Sequence, residues 1–151
     1  MALFDPKALV QELFAAHATG QIIPIPPSAR DAGFGLTEAY AVEADLCRLR
    51  RASGRTTVGR KVGFANKALW RVLKLDTLVW AHMYDDTVRY ADANAASLSV
   101  AQMCSPRIEP EIVFKLKKPL GSGALEPAAV LDAVEWLALG FAIIDCVIAD
   151  W

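Results

Sequence analysis

The stretch Ser105-Pro106-Arg107-Ile108-Glu109-Pro110-Glu111-Ile112-Val113-Phe114-Lys115-Leu116 decides how this chain is read. Residues two apart in an extended strand point to the same face, so Glu109 and Glu111 aim their carboxylates at one spot while Ile112, Val113 and Phe114 continue the strand behind them. Converging carboxylates repel. A hard divalent cation such as Mg2+ or Mn2+ relieves that repulsion with the oxygen ligands it favours. On spacing alone a second reading stands beside it: two solvated acids on an edge strand, where Pro110 is tolerated because it has no N–H to pair.

Composition narrows the setting. The 151 residues are 54% hydrophobic and 22% charged, which fits one folded domain with its own core and excludes disorder. A net charge of −1 argues against a dedicated nucleic-acid binder. The one basic cluster, Arg48, Arg50, Arg51 and Arg55, falls at the end of an expected helix, where cations complement the helix dipole, and this solvated reading is preferred to a phosphate site. Cys47, Cys104 and Cys146 are widely spaced and form no CxxC pair, as suits a reducing cytoplasm. The start, Met1-Ala-Leu-Phe-Asp-Pro-Lys7, has an early acid and no apolar run of signal-peptide type. Residues 136–144 form an uncharged apolar run far too short to span a membrane. A cytoplasmic protein without membrane or nucleic-acid partners is expected.

The elements alternate between helix and strand, giving an α+β fold class. Asp5-Pro6 caps a first helix with the stripe Leu9, Val10, Leu13 and Phe14, and Gly20 stops it. Residues 22–27, rich in proline, form an extended connector. A second helix is expected over 37–53, from Ala39, Val42, Leu46 and Leu49 at helical spacing with Gly54 following. Residues 57–64 read as a strand with Val58, Val62 and Phe64 on one face and Gly59, Lys61 and Gly63 on the other. Asn66 caps a short helix that packs Trp70 in the core. Glu126-Pro127 starts a last helix with Val130, Leu131, Val134 and Leu137 as its stripe and Gly140 as its stop, and the closing residues 141–151 read as a buried strand.

Three positions in this scheme have two readings each. Glycines flanking Lys61 let a ligand approach the backbone and leave the ammonium to bind a carboxylate or move a proton; otherwise Lys61 is an exposed strand lysine beside a bulge. Asp85 and Asp86 read as an ordinary turn or as an acid-base pair. His82, with no second histidine nearby, reads as a satisfied, half-buried side chain rather than a ligand.

Gly-Arg-Lys-Val-Gly-Phe at 59–64, Tyr-Asp-Asp at 84–86, Pro-Arg-Ile-Glu-Pro-Glu-Ile-Val-Phe at 106–114 and Ala-Leu-Gly-Phe-Ala-Ile-Ile-Asp at 138–145 occur together in one order. In this the chain resembles the 2-keto-4-pentenoate hydratase and 4-oxalocrotonate decarboxylase branch of the fumarylacetoacetate hydrolase superfamily. The resemblance runs over essentially the whole chain and over rather more than the first half of a typical member. It implies a helical region over 1–56 and part of a mixed β-roll over 57–151, incomplete at the C-terminus. It implies Mg2+ or Mn2+ at Glu109 and Glu111, Lys61 on the substrate carboxylate, Gly63 and Arg107 lining the substrate, and Asp85 or Asp86 positioning water or a proton. The family's third metal ligand falls on Ala142, which has no donor atom. Asp145 replaces it only if a bulge or chain reversal intervenes, because residues three apart on a regular strand face opposite ways. An arginine found five residues after that ligand in the hydratase branch is replaced by Val147.

The expected activity is a metal-dependent hydratase of short 2-hydroxydienoic or 2-oxo acids in aromatic catabolism. The alternatives are a decarboxylase, an acylpyruvate hydrolase, or an impaired relative that serves as a binding or assembly module. A strand left unpaired at Asp150-Trp151 is expected to associate, so a homo-oligomer is expected.

Overall fold

The computed structural model describes residues 5–149 apart from 124; the expectations placed on Met1–Phe4 and on Asp150-Trp151 lie outside the described residues. The chain divides into two compact units, one running through Gln102 and resuming at Val147, the other Met103–Cys146.

The first unit opens with α1 (Pro6–Thr19). The Asp5 carboxylate accepts the Lys7 N–H at 2.9 Å, proline occupies the first turn, and Gly20 closes the helix at φ 69°. Glycine is required there twice over: the left-handed backbone disfavours a side chain, and a Cβ would lie 2.8 Å from the Gln102 carbonyl oxygen. A single helical turn, α2 (Pro27–Arg30), starts at the last residue of the expected extended connector. Proline is tolerated at a helix start, and Arg30 ties this turn to α1 by two hydrogen bonds to Glu12, at 2.5 and 2.9 Å. In α3 (Leu36–Ala52), the Glu38 carboxylate reaches back to the Gly35 N–H at 2.9 Å. Leu9, Val10 and Val42 are buried between α1 and α3, with Leu13, Phe34, Leu46 and Leu49 packed against them. Leu9 is 2% exposed, so Leu9→Ala should cost about 2–5 kcal/mol, read as a lower urea midpoint at unchanged slope.

The Arg30 hydrogen bonds hold the Glu12 carboxyl below its ordinary range. A lowered folded-state value means that this contribution is fully present above the unfolded value, near pH 4.3, and is lost as pH falls through the folded one. Urea midpoints measured across pH 2–6 should therefore drop less steeply on the acid side in Glu12→Gln than in the parent.

Strand β1 (Thr57–Gly63) pairs antiparallel with β2 (Val79–Tyr84), with a register irregularity between Thr57 and Gly59. Between them lies α4 (Ala68–Leu73), where the Asn66 side chain accepts the Ala68 N–H. The helices and this sheet are knit together across residue 56: Tyr40 and Glu43 of α3 accept the backbone N–H groups of Trp80 and His82. Ile23 and Ile148 add an isolated parallel bridge.

The second unit is a long antiparallel pair, β3 (Pro106–Leu116) and β4 (Val134–Asp145), with α5 (Pro127–Ala133) before β4. The helix expected to run to Gly140 thus ends at Ala133. A continuous apolar run fits either period, and residues 134–145 find a full-length partner in β3, which supplies more backbone pairing than an isolated helical extension. The closing strand ends at Asp145 instead of running to 151, and it is not buried: Phe141 is 71% and Leu139 89% exposed. Ile108, Ile112, Phe114, Leu137, Leu139 and Phe141 share one exposed apolar face of this pair.

Candidate functional site

The register of β3 and β4 sets the acidic pair. Glu109 stands opposite Ala142 and Glu111 opposite Gly140, so the two carboxylates occupy one face across from the smallest residues of β4. Both glutamates are half-buried in an otherwise exposed strand. Arg107 occupies the next position on the same face, placing a cation beside them. Gly140 has a packing reason as well, since a Cβ there would lie 2.9 Å from Val113 Cγ2. The same-face geometry read from the sequence is present.

Asp145 corrects that reading. The pairing runs without a break from Pro106↔Asp145 to Lys115↔Trp136, so no bulge separates Ala142 from Asp145. Asp145 consequently lies on the face opposite Glu109 and Glu111. Its oxygens are already engaged: Oδ1 accepts the Ser105 N–H at 2.6 Å and Oδ2 the Cys104 N–H at 3.0 Å. Burial, and then the nearby Asp145 charge, push the Cys104 thiol up from its ordinary value. Asp145 is a backbone acceptor here, turned away from Glu109 and Glu111.

The donor set can be weighed as chemistry. Two carboxylates on one face suit a hard divalent ion, and Mg2+ in particular commonly keeps several waters instead of filling its shell from protein. Among the described residues no three His, Cys, Asp or Glu side chains gather into a metal-binding group. The residues fit a hydrated divalent ion held by Glu109 and Glu111 and do not fit a three-acid cage.

In the first unit, Lys61 is half-buried on β1 opposite Ala81, sharing its face with Gly59 and Gly63. A Cβ on Gly59 would meet nothing within 4 Å, whereas one on Gly63 would lie 3.2 Å from Val79 Cγ2, so this face is open on one side of the lysine and closed on the other. The strand ends at Gly63, and the next residue, Phe64, has a φ of 57°, unusual for a bulky side chain. The Trp70 indole N–H, from a ring only partly buried, donates to the Phe64 carbonyl at 2.7 Å and holds that turn.

Asp85 and Asp86 form the turn that leaves β2. Asp85 Oδ1 accepts the N–H groups of Thr56 and Asp86 at 3.0 and 3.1 Å, while Asp86 pairs with Arg55 at 2.7 Å. The neighbouring Tyr84 is 3% exposed, and burial together with the Cys47 thiol pushes its phenol up to about 12, so it stays protonated at neutral pH. The rest of the basic cluster is used locally as well. Arg48 pairs with Asp45, the Arg50 guanidinium lies 4.8 Å over the Tyr84 ring, and Arg51 donates to the Thr57 hydroxyl at 2.6 Å.

His82 is satisfied, with Nδ1 2.7 Å from Glu43 Oε1. Its ring also meets Trp80 edge-on at 5.3 Å between centroids, and Tyr40 stacks on Trp80 at 5.4 Å. Glu43 and Tyr40 carried no signal in the sequence because they are exposed-type positions on a helix some forty residues before their partners.

No protein-family model matches the chain. A 2-hydroxyhexa-2,4-dienoate hydratase of Comamonas testosteroni is 37% identical over 114 residues, covering 76% of this chain and 43% of that protein. A 2-keto-4-pentenoate hydratase of Paraburkholderia xenovorans (strain LB400) is 31% identical over 142 residues, 93% of this chain and 51% of that protein. The structure of 4-oxalocrotonate decarboxylase from Pseudomonas putida G7, complexed with magnesium and adipate, superposes with a TM-score of 0.83 at 20% identity over 97% of this chain and 54% of that one. A second structure of that decarboxylase, with calcium and acetate, gives 0.85 at 21% identity. The chain is a relative of the 2-keto-4-pentenoate hydratase and 4-oxalocrotonate decarboxylase branch of the fumarylacetoacetate hydrolase superfamily, and it spans about half the length of the curated relatives it matches.

Proposed function

We propose that the chain carries the metal strand and the lysine strand of a divalent-metal-dependent hydro-lyase acting on short 2-hydroxydienoic or 2-oxo acids such as 2-hydroxypenta-2,4-dienoate. One observation carries the reading: Glu109 and Glu111 stand side by side, half-buried, across from Ala142 and Gly140. Hydratases among its relatives support the reaction class. Glu109 and Glu111 hold the ion, Mg2+ or Mn2+. When bound, it supplies positive charge where negative charge builds on the substrate's 2-oxo oxygen. Lys61 pairs with the substrate carboxylate, the substrate approaches the backbone on the open Gly59 side of that face and not on the Gly63 side closed by Val79, and Arg107 adds positive charge beside the acids. The Asp85–Asp86 turn, fixed by Thr56 and Arg55, orients the water or passes the proton that hydration of a carbon–carbon double bond requires.

Ala142 favours a second reading. With a methyl group across from Glu109 and Asp145 turned away, the chain retains the fold and a weak metal site but little turnover, and acts as a binding or assembly module. Decarboxylation is the related alternative on the same strand. A cytoplasmic, homo-oligomeric protein is supported by three free cysteines and by the exposed apolar face of β3 and β4. Among the described residues no helix is long and apolar enough to cross a membrane.

A Mn2+ titration followed by electron paramagnetic resonance, with dienoate absorbance recorded in parallel, separates these readings. Saturable Mn2+ binding with loss of absorbance supports the hydratase. Binding without turnover supports the module, and no saturable binding rejects both metal readings.

A further inference from the structure

We propose that Asp145 is a positioning residue for the acidic strand: by accepting the two backbone N–H groups that precede β3, it locks the register that sets Glu109 and Glu111 across from Ala142 and Gly140. The functional consequence rests on the metal reading above; the lock itself does not.

Hydrophobic pattern is a weak guide to the register of β3. Apolar residues occupy both faces, with Ile108, Ile112, Phe114, Leu137, Leu139 and Phe141 on one and Val113, Trp136 and Ile144 on the other. A slip of one residue would move both glutamates to the opposite face, and a slip of two would set Glu109 against Ile144 or Gly140.

Asp145 supplies a specific anchor at one end of the pair. Its carboxylate accepts from Ser105 at 2.6 Å and from Cys104 at 3.0 Å, one oxygen for each donor. Bonds to an ionised acceptor are roughly twice as strong as neutral ones, and two of them fix both position and angle. They act at the end of the pair nearest the acids, three and five residues before Glu109 and Glu111 along β3 when counted from Pro106.

Asp145→Asn tests this, because asparagine keeps the size and one acceptor while its amide NH2 cannot accept the second N–H. In the 151-residue chain, amide exchange at Cys104 and Ser105 should speed up by about tenfold, as for loss of a bond to a charged group. The cross-strand nuclear Overhauser effect between Glu109 and Ala142 should weaken, and Mn2+ affinity should fall about tenfold, in the range for outer-shell partners. Ser105→Pro removes one donor while leaving the carboxylate intact, and should shift the same readouts in the same direction by less; it stands in if Asp145→Asn does not fold.

Lost Mn2+ affinity with unchanged amide exchange would make Asp145 a ligand and overturn the proposal. Faster exchange with the cross-strand contact and Mn2+ affinity unchanged would reduce it to a local cap and overturn it equally. If the parent chain binds no Mn2+, the metal reading fails on its own, and the Glu109–Ala142 contact alone decides whether the register lock stands.

Discussion

Replacing Glu109 by alanine should abolish specific Mn2+ binding, lowering affinity by at least about 100-fold, the upper end of what loss of an outer-shell partner costs. Only two carboxylates share the face, so removing one leaves a single monodentate or bidentate acid, which surface glutamates provide everywhere. The upward shift of the melting temperature produced by Mn2+ in the parent should vanish with that binding. Glu135→Ala, on the same strand pair but exposed and next to α5, is the control and should leave both measurements unchanged. Equal loss in both variants would mean that the ion is held by diffuse charge and not by a site.

Ala142→Glu should do the reverse. Position 142 is directly opposite Glu109, and facing residues of an antiparallel pair bring their Cβ atoms to about 4.5–5.5 Å, within reach of a shared ion for two glutamate side chains. Affinity for divalent ions climbs by decades as carboxylates are added, so Mn2+ binding should tighten by on the order of 10–100-fold. Three carboxylates on one face also make the apo state less stable, by about 0.2–1 kcal/mol for the new cross-strand pair, and most so near neutral pH where all are ionised. Tighter Mn2+ together with a less stable apo protein is the expected signature, with dienoate absorbance showing whether turnover follows. Unchanged affinity would mean that the missing donor is not what limits the site.

Local chemistry made much of this legible. The Asp5-Pro6 cap and Gly20 stop delimited α1, helical spacing placed α3 within a residue at each end, and the alternation around Lys61 gave β1 and its face. These features depend on neighbours within a turn or two, so they can be read from a line of residues. The start of β4 could not be, because Val130, Leu131, Val134 and Leu137 satisfy a helical stripe until a strand elsewhere claims the last two. Nor could the joining of Glu43 to His82 or Tyr40 to Trp80, which depends on how α3 meets β2.

For the acids the division is clear. Their spacing alone determined that Glu109 and Glu111 share a face, because the strand period is two whatever the strand pairs with. The branch of the superfamily was likewise legible in the residues. What stands across from the pair, and which way Asp145 points, was settled only by the register of β3 against β4. Register is a non-local quantity, set by pairing between residues some twenty to forty positions apart, and a shift of one residue reverses every assignment of face.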